Sequence, residues 1–325
     1  MKKFCLILFI VLSMAVVMGE TVLSLPVNTK SSERMPCLFD NILYFVNSKY
    51  DIYQAQFSNG TLSNISAVKG EINTSANEIS PFVIENNGLK IMYFARFNEK
   101  SDYDFYRAEF DSKFNEWRNV TKVEGLSTPS QEWSISVSAD EKKAYFTSKS
   151  AYEGVPSAGG LDIWYAENIN GKWSNFKNIK EINTDQSEWE VFEAAGNLYF
   201  TSNKSDSLGG YDIYAMNMQT GEVSNIGSPV NSEKDERGFW TDGINVFFCS
   251  KDRPEGVGSY DLFFCQMQTK LFDKEQTVVK AKETVNTEVV KTPKTEIASF
   301  DFSKIIGTLI FGSIAAAILF ITVIK

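Results

Sequence analysis

Leu198-Tyr199-Phe200-Thr201-Ser202, followed by Gly209-Gly210-Tyr211-Asp212-Ile213-Tyr214, is one copy of a phrase pair that runs through this chain. The second phrase recurs as Tyr50-Asp51-Ile52-Tyr53, Tyr103-Asp104-Phe105-Tyr106, Leu161-Asp162-Ile163-Trp164 and Tyr260-Asp261-Leu262-Phe263. Ahead of these stand the aromatic pairs Tyr44-Phe45, Tyr93-Phe94, Tyr145-Phe146 and Phe247-Phe248. A third phrase lies earlier still, from Asn28 to Glu33, Asn73 to Glu78, Ser127 to Glu132, Asn183 to Glu188 and Asn231 to Glu236. Three phrases in one order, repeating about every 50 residues, mark a repeat architecture.

The units carry no helical period. Their aromatic pairs sit in short β-rich runs separated by Gly-, Ser- and Asp-rich turns such as Ser205 to Gly210 and Pro254 to Gly258. A further run follows a Gly turn, as at Asn170-Gly171-Lys172-Trp173. Four short strands per unit is the blade of a β-propeller. Leu25 to Glu33 matches Ser228 to Glu236, the junction between two units. Residues 20–28 therefore read as an outer strand without a blade of its own, and the last unit, which ends near Leu271, lacks one. The expectation is an all-β, five-bladed propeller closed by its N-terminal strand, which leaves no free edge.

These phrases resemble the WD40-like propeller repeats of TolB-like periplasmic proteins and bacterial envelope proteins. The correspondence is best over Leu198 to Lys204, Gly209 to Tyr214 and Gly227 to Asn231, with Gly171-Lys172-Trp173 in support. It covers Leu25 to Leu271. The resemblance implies the fold and a binding platform rather than an enzyme. The first two units depart from it, having no Gly-Gly before Tyr50 and Tyr103.

Both ends are apolar. Met1-Lys2-Lys3, an apolar run from Phe4 to Val17 and Met18-Gly19-Glu20 read as a secretory signal peptide over 1–19; an uncleaved anchor is the other reading. Ile305 to Ile324 is uncharged between Lys304 and Lys325. Twenty residues at 1.5 Å each span about 30 Å, the thickness of a bilayer core. The expected organisation is thus signal peptide 1–19, propeller 20–271, solvated stalk 272–303 and transmembrane helix 304–325. The propeller would stand on the periplasmic or extracellular side, with the membrane as a partner through Ile305 to Ile324.

The formal net charge of −9 argues against nucleic acid as a partner. The chain has no histidine, which excludes Ser-His-Asp and Cys-His catalysis and His-ligated zinc. Cys37, Cys249 and Cys265 lack metal-ligand spacing; Cys249 and Cys265 fall in neighbouring expected strands, either as free thiols or as a disulfide. No cofactor and no metal site is expected.

Glu33, Glu78, Glu132, Glu188 and Glu236 recur once per unit, as do Asp51, Asp104, Asp162, Asp212 and Asp261. A carboxylate ring could hold a cation, but residues repeated in every blade are read as hydrogen-bond acceptors for the blade's own turns. Unrepeated acids, Asp140, Glu153 and Glu190 among them, form no recognisable pair of the kind glycosidases use. Trp133 and Trp189 directly follow the repeated Glu and Trp240 lies four residues past it, so these three, with the Ser148 to Gly160 loop, are the expected binding surface. The functional expectation is a membrane-anchored, non-enzymatic module that binds a protein or a glycan. The alternatives are a glycan-processing enzyme on the same scaffold and a structural envelope component.

Overall fold

A computed structural model of the protein describes residues 22–267. The expected signal peptide, stalk and membrane helix lie outside the described residues. Among the described residues no helix is long and apolar enough to cross a membrane.

Twenty strands form five four-stranded antiparallel sheets. β1 (Leu23–Ser24) comes first in the chain and belongs to the last sheet. Blade 1 holds β2 (Arg34–Phe39), β3 (Ile42–Val46), β4 (Ile52–Ser58) and β5 (Thr61–Ala67). Blade 2 holds β6 (Glu78–Asn86), β7 (Leu89–Asn98), β8 (Asp102–Asp111) and β9 (Glu116–Lys122). Blade 3 holds β10 (Glu132–Val137), β11 (Lys143–Ser148), β12 (Asp162–Ile169) and β13 (Lys172–Asn178). Blade 4 holds β14 (Val191–Ala194), β15 (Asn197–Ser202), β16 (Asp212–Asn217) and β17 (Val223–Asn225). Blade 5 holds β18 (Asp235–Thr241), β19 (Asn245–Lys251) and β20 (Tyr260–Gln266), and takes β1 as its outer strand. Leu23 pairs with Phe264 and Ser24 with Phe263. The ring is therefore the expected five-bladed propeller, closed by the N-terminal strand.

The second strand of each blade is packed on both faces by neighbouring blades, which is why it reads as an unbroken apolar run. The second aromatic of each pair (Phe45, Phe94, Phe146, Phe200, Phe248) is fully buried. Rings interlock across the blade boundaries: Phe57 of blade 1 meets Phe247 at 5.0 Å and Phe264 at 5.2 Å in blade 5, edge to face. Outer strands face water, as the almost wholly exposed β5 shows.

The repeated phrases have separate physical jobs. In the third phrase, the leading Asn or Ser bonds back to the third strand of the preceding blade. Asn183 accepts from the Ile163 amide at 2.8 Å and donates to its carbonyl at 2.8 Å. Asn73 does this on Ile52, Asn231 on Ile213, Ser127 on Phe105 and Asn28 on Leu262. Each phrase thus latches one blade to the next. The Gly-Gly pairs of the later units lie against the same phrases, and a β-carbon at Gly209 would collide with the Lys234 carbonyl.

Candidate active site

All five innermost strands begin at one end of the central channel, each within three residues of its repeated glutamate. The loop before each third strand lies at that end too, because Arg34 pairs with Val46 and Val46 with Ile52. Side chains from these two sources build the channel mouth. Directly after the glutamates come Arg34, Ile79, Trp133, Trp189 and Arg237; from the starts of the third strands and the loops before them come Tyr50, Tyr103, Tyr211 and Tyr260.

These groups touch in an arc around the mouth. Tyr103 meets Trp133 at 5.4 Å, and Trp133 meets Trp189 at 5.2 Å. The Arg237 guanidinium lies over Trp189 at 5.0 Å and over Tyr211 at 3.9 Å. Tyr260 is shared: Arg237 sits 5.9 Å and Arg34 5.0 Å from its ring, and Arg34 reaches on to Tyr50 at 5.5 Å. The rim is an aromatic wall carrying two cations.

One residue further in, Met35, Ser80, Ser134, Glu190 and Gly238 line the channel. In blades 1, 2, 3 and 5 these positions fall in bulges of the inner strand, and Met35 and Ser80 take the left-handed φ values of 56° and 55°; Glu190 directly precedes β14. Beyond them the channel narrows. Phe82 and Phe192 of non-adjacent blades meet across it at 6.3 Å, and Trp240 lies 6.1 Å from Phe192. The cavity left between is about 40 Å³, room for a few waters and too small for a sugar ring. A ligand of sugar size must therefore sit at the mouth.

Charge at the mouth is uneven. Glu190 is the one acid among the five inward positions; its Oε2 is buried with no hydrogen-bond partner. Asp235 is the one acid among the residues just before the repeated glutamates; it accepts from the Tyr211 amide at 3.1 Å and, at 3.5 Å, from the Tyr260 hydroxyl. Arg237 lies over the rings of Tyr211 and Tyr260, the two residues that donate to Asp235. Burial works against its charge, but Glu190, then Tyr260 and Tyr211, hold its pKa above the ordinary value. Burial chiefly pushes the Tyr260 phenol up to about 12, and Arg237 pulls it back.

The residues singled out from the sequence divide. Trp133 and Trp189 are in the mouth. Trp240 lies at the other end of its strand, packed on Phe192 and on Phe247 at 5.9 Å. The Ser148 to Gly160 loop is pinned to its own blade, with the Tyr152 hydroxyl donating to the Leu126 carbonyl at 2.9 Å and the ring stacked on Phe176. Each repeated glutamate is buried and clamps the residue four earlier: Thr29, Thr74, Thr128, Thr184 and Ser232 give both amide and hydroxyl to Glu33, Glu78, Glu132, Glu188 and Glu236. The repeated aspartates hold their own blades. Asp162 accepts from Ala158 and Asn178, Asp212 from Leu208 and Asn225, Asp261 from Val257 and Gly258, and Asp104 pairs with Lys122 at 3.0 Å. At the first of these positions, the Asp51 amide donates to Asn47.

Among the described residues no three of His, Cys, Asp and Glu gather as metal ligands. Cys37, Cys249 and Cys265 are buried and not joined in a disulfide, Cys249 opposite Leu262 and Cys265 opposite Val246. The sequence analysis missed Arg34, Asp235 and Arg237 and gave Glu190 no partner. The available signal was the break in the repeat at each of these positions.

Neither a known protein family nor a curated protein matches the chain. Solved structures do. An α-L-arabinofuranosidase from Lactobacillus brevis is 14% identical, with a TM-score of 0.48 over 75% of this chain and 92% of its own. The catalytic domain of a family 62 α-L-arabinofuranosidase from Coprinopsis cinerea is 8% identical, with a TM-score of 0.47 over 76% and 95%. A family 117 glycoside hydrolase from the marine bacterium Zobellia galactanivorans is 11% identical, with a TM-score of 0.46 over 76% and 90%. At such identities none of them lends this chain a site residue. The expected kinship with WD40-like and TolB-like envelope propellers, and the non-enzymatic binding module that went with it, are corrected here: the three solved structures named above are two α-L-arabinofuranosidases and a family 117 glycoside hydrolase.

Proposed function

We propose that the protein is a glycan-processing enzyme whose active site is the channel mouth. The observation that carries this is the pair of unrepeated carboxylates at the mouth: Glu190 acts on Arg237, and Asp235 accepts from Tyr260, over whose ring Arg237 lies. Cleaving a glycosidic bond needs one carboxyl group to give a proton to the leaving oxygen and a second to activate water or attack the sugar. Ten repeated carboxylates are present in the five units, and the buried ones are bonded within the scaffold. Glu190 and Asp235 are acids at mouth positions where the other blades carry none; Glu190 Oε2 is buried without a donor, as is one oxygen each of the repeated Asp162, Asp212 and Asp261. Trp133, Trp189 and Tyr103 offer faces on which a sugar ring stacks, and the blind channel below fixes how deep it enters. Arg237, already within the field of Glu190, stabilises the charge that develops as the bond breaks.

The test is release of reducing ends from a panel of oligosaccharides by the wild type, Glu190→Gln and Asp235→Asn. Loss of a general acid or base lowers the rate by roughly 10²–10⁴, and each variant should fall by that order while keeping its melting temperature. A wild type inert on the whole panel, or variants as fast as the wild type, would refute the assignment.

A further inference from the structure

We propose that Arg34 is a clamp for a substrate carboxylate, so that the glycan taken at the mouth is built of sugar acids. This rests on the reading of the mouth as a glycan site.

The described chain has six arginines. Four are ion-paired within the protein: Arg96 with Glu78, Arg107 with Glu109 and Glu141, Arg118 with Glu116, and Arg253 with Glu236. The two without an ion pair are Arg34 and Arg237, and both are at the mouth. Arg237 has Glu190 acting on it. Arg34, half-buried, has neither hydrogen bond nor ion pair among the described residues; its contacts are the faces of Tyr50 and Tyr260. Cation–π attraction to the two rings engages the charge without using the guanidinium's N–H groups, which stay available to a ligand. A carboxylate fits those N–H groups with two parallel hydrogen bonds. A neutral sugar hydroxyl could accept a bond there, but it would leave the charge unmet in a partly desolvated site.

The position is also asymmetric. The residues equivalent to Arg34 in blades 2, 3 and 4 are Ile79, Trp133 and Trp189. The scaffold therefore does not require a cation at this place. Arg34 and Arg237 share the Tyr260 ring, at 5.0 and 5.9 Å, so a sugar whose carboxylate meets Arg34 is near Arg237 and, through it, Trp189 and Glu190.

The experiment is calorimetric titration of the full-length chain carrying Glu190→Gln, which separates binding from turnover. The probes are trimers of galacturonate and of glucuronate, the methyl esters of both, and a sulfated galactose trisaccharide. At least one acid should bind 10-fold or more tightly than its ester. Adding Arg34→Gln should erase that preference, and Arg34→Lys should restore part of it. The clamp is overturned if esters bind as well as acids, if no acid binds, if the preference survives Arg34→Gln, or if only the sulfated sugar is taken. Should Arg34→Gln fail to fold by circular dichroism, the acid-to-ester ratio with Arg34 intact still decides. Acid-selective binding without Glu190-dependent turnover keeps the clamp and removes the enzyme. Glu190-dependent cleavage of neutral glycans alone does the reverse.

Discussion

Glu188 and Glu190 stand two positions apart and meet opposite fates. Glu188 is wholly buried and accepts from the Thr184 amide and hydroxyl and from Ser202, whereas Glu190 turns an unpartnered oxygen into the channel mouth. The sequence shows the first as a repeat and the second as an exception. Repetition marks Glu188 as a residue that holds its blade, whereas a site on one side of a ring needs residues that differ. Among the repeated glutamates, Glu132 permits a test by pH. Burial, opposed by Thr128 and Ser148, raises its carboxyl from 4.5 to about 8. Folding then favours the protonated form, so the stability this group contributes is complete below pH 4.5 and is lost as pH rises through 8. The surrounding Thr128, Ser148 and Tyr152 hydroxyls can turn to suit either form. The melting temperature should fall between pH 5 and pH 8.5, by on the order of a few degrees, and the fall should be shallower in Glu132→Gln. Parallel profiles for the two proteins would show that Glu132 titrates alike in both states.

The latch phrase is the element that turns separate blades into a ring. Its five copies make the same bonds, yet they do not bear the same consequence. Asn73, Ser127, Asn183 and Asn231 join blades that the chain already connects. Asn28 joins residues 234 positions apart, with Leu262 as its partner. Losing both bonds strands a backbone amide and carbonyl at about 1–3 kcal/mol each. Asn28→Ala should therefore open the ring, while Asn183→Ala loosens one joint in a ring that stays closed. Urea denaturation should give Asn28→Ala the lower midpoint; equal midpoints would mean that β1 alone closes the propeller. The strands and their order were legible from the aromatic pairs and Gly turns. The bulges were not, since no residue type announces them. Trp240 shows the effect: it follows Arg237 by three residues, about 10 Å along an extended strand, which carries it from the mouth to the packed end.

For the whole molecule, closure makes five similar units one cooperative object. Blade 1 packs on blade 5 through Phe57, Phe247 and Phe264 as closely as consecutive blades pack on each other. Trp117 in blade 2 and Trp164 in blade 3 are both fully buried, so each reports on its own blade. Single-tryptophan variants retaining one or the other should unfold in urea with superimposable transitions, and the two curves should separate once residues 22–28 are deleted. Separated curves in the intact ring would point instead to blades that melt independently, as in open repeat arrays. Fold and closure were readable because they follow from periodic residues; of the mouth, Trp133 and Trp189 were read and the charged groups were not, because Arg34, Glu190, Asp235 and Arg237 are single departures from the period.

The closing strand is short, and the two ends of the described chain leave from it side by side. Val22 and Met267 pack against one apolar cluster, with Leu23 opposite Phe264 between them. Tension applied between these ends would bear on one hydrogen bond at a time, first near Leu23, then at the Leu25 amide on Leu262, then at the Asn28 latch. That is the peeling geometry, the weakest direction in which to load a strand. The propeller would yield at this seam under small forces while its blades stayed whole, a mechanical fuse at the place where the ring is joined.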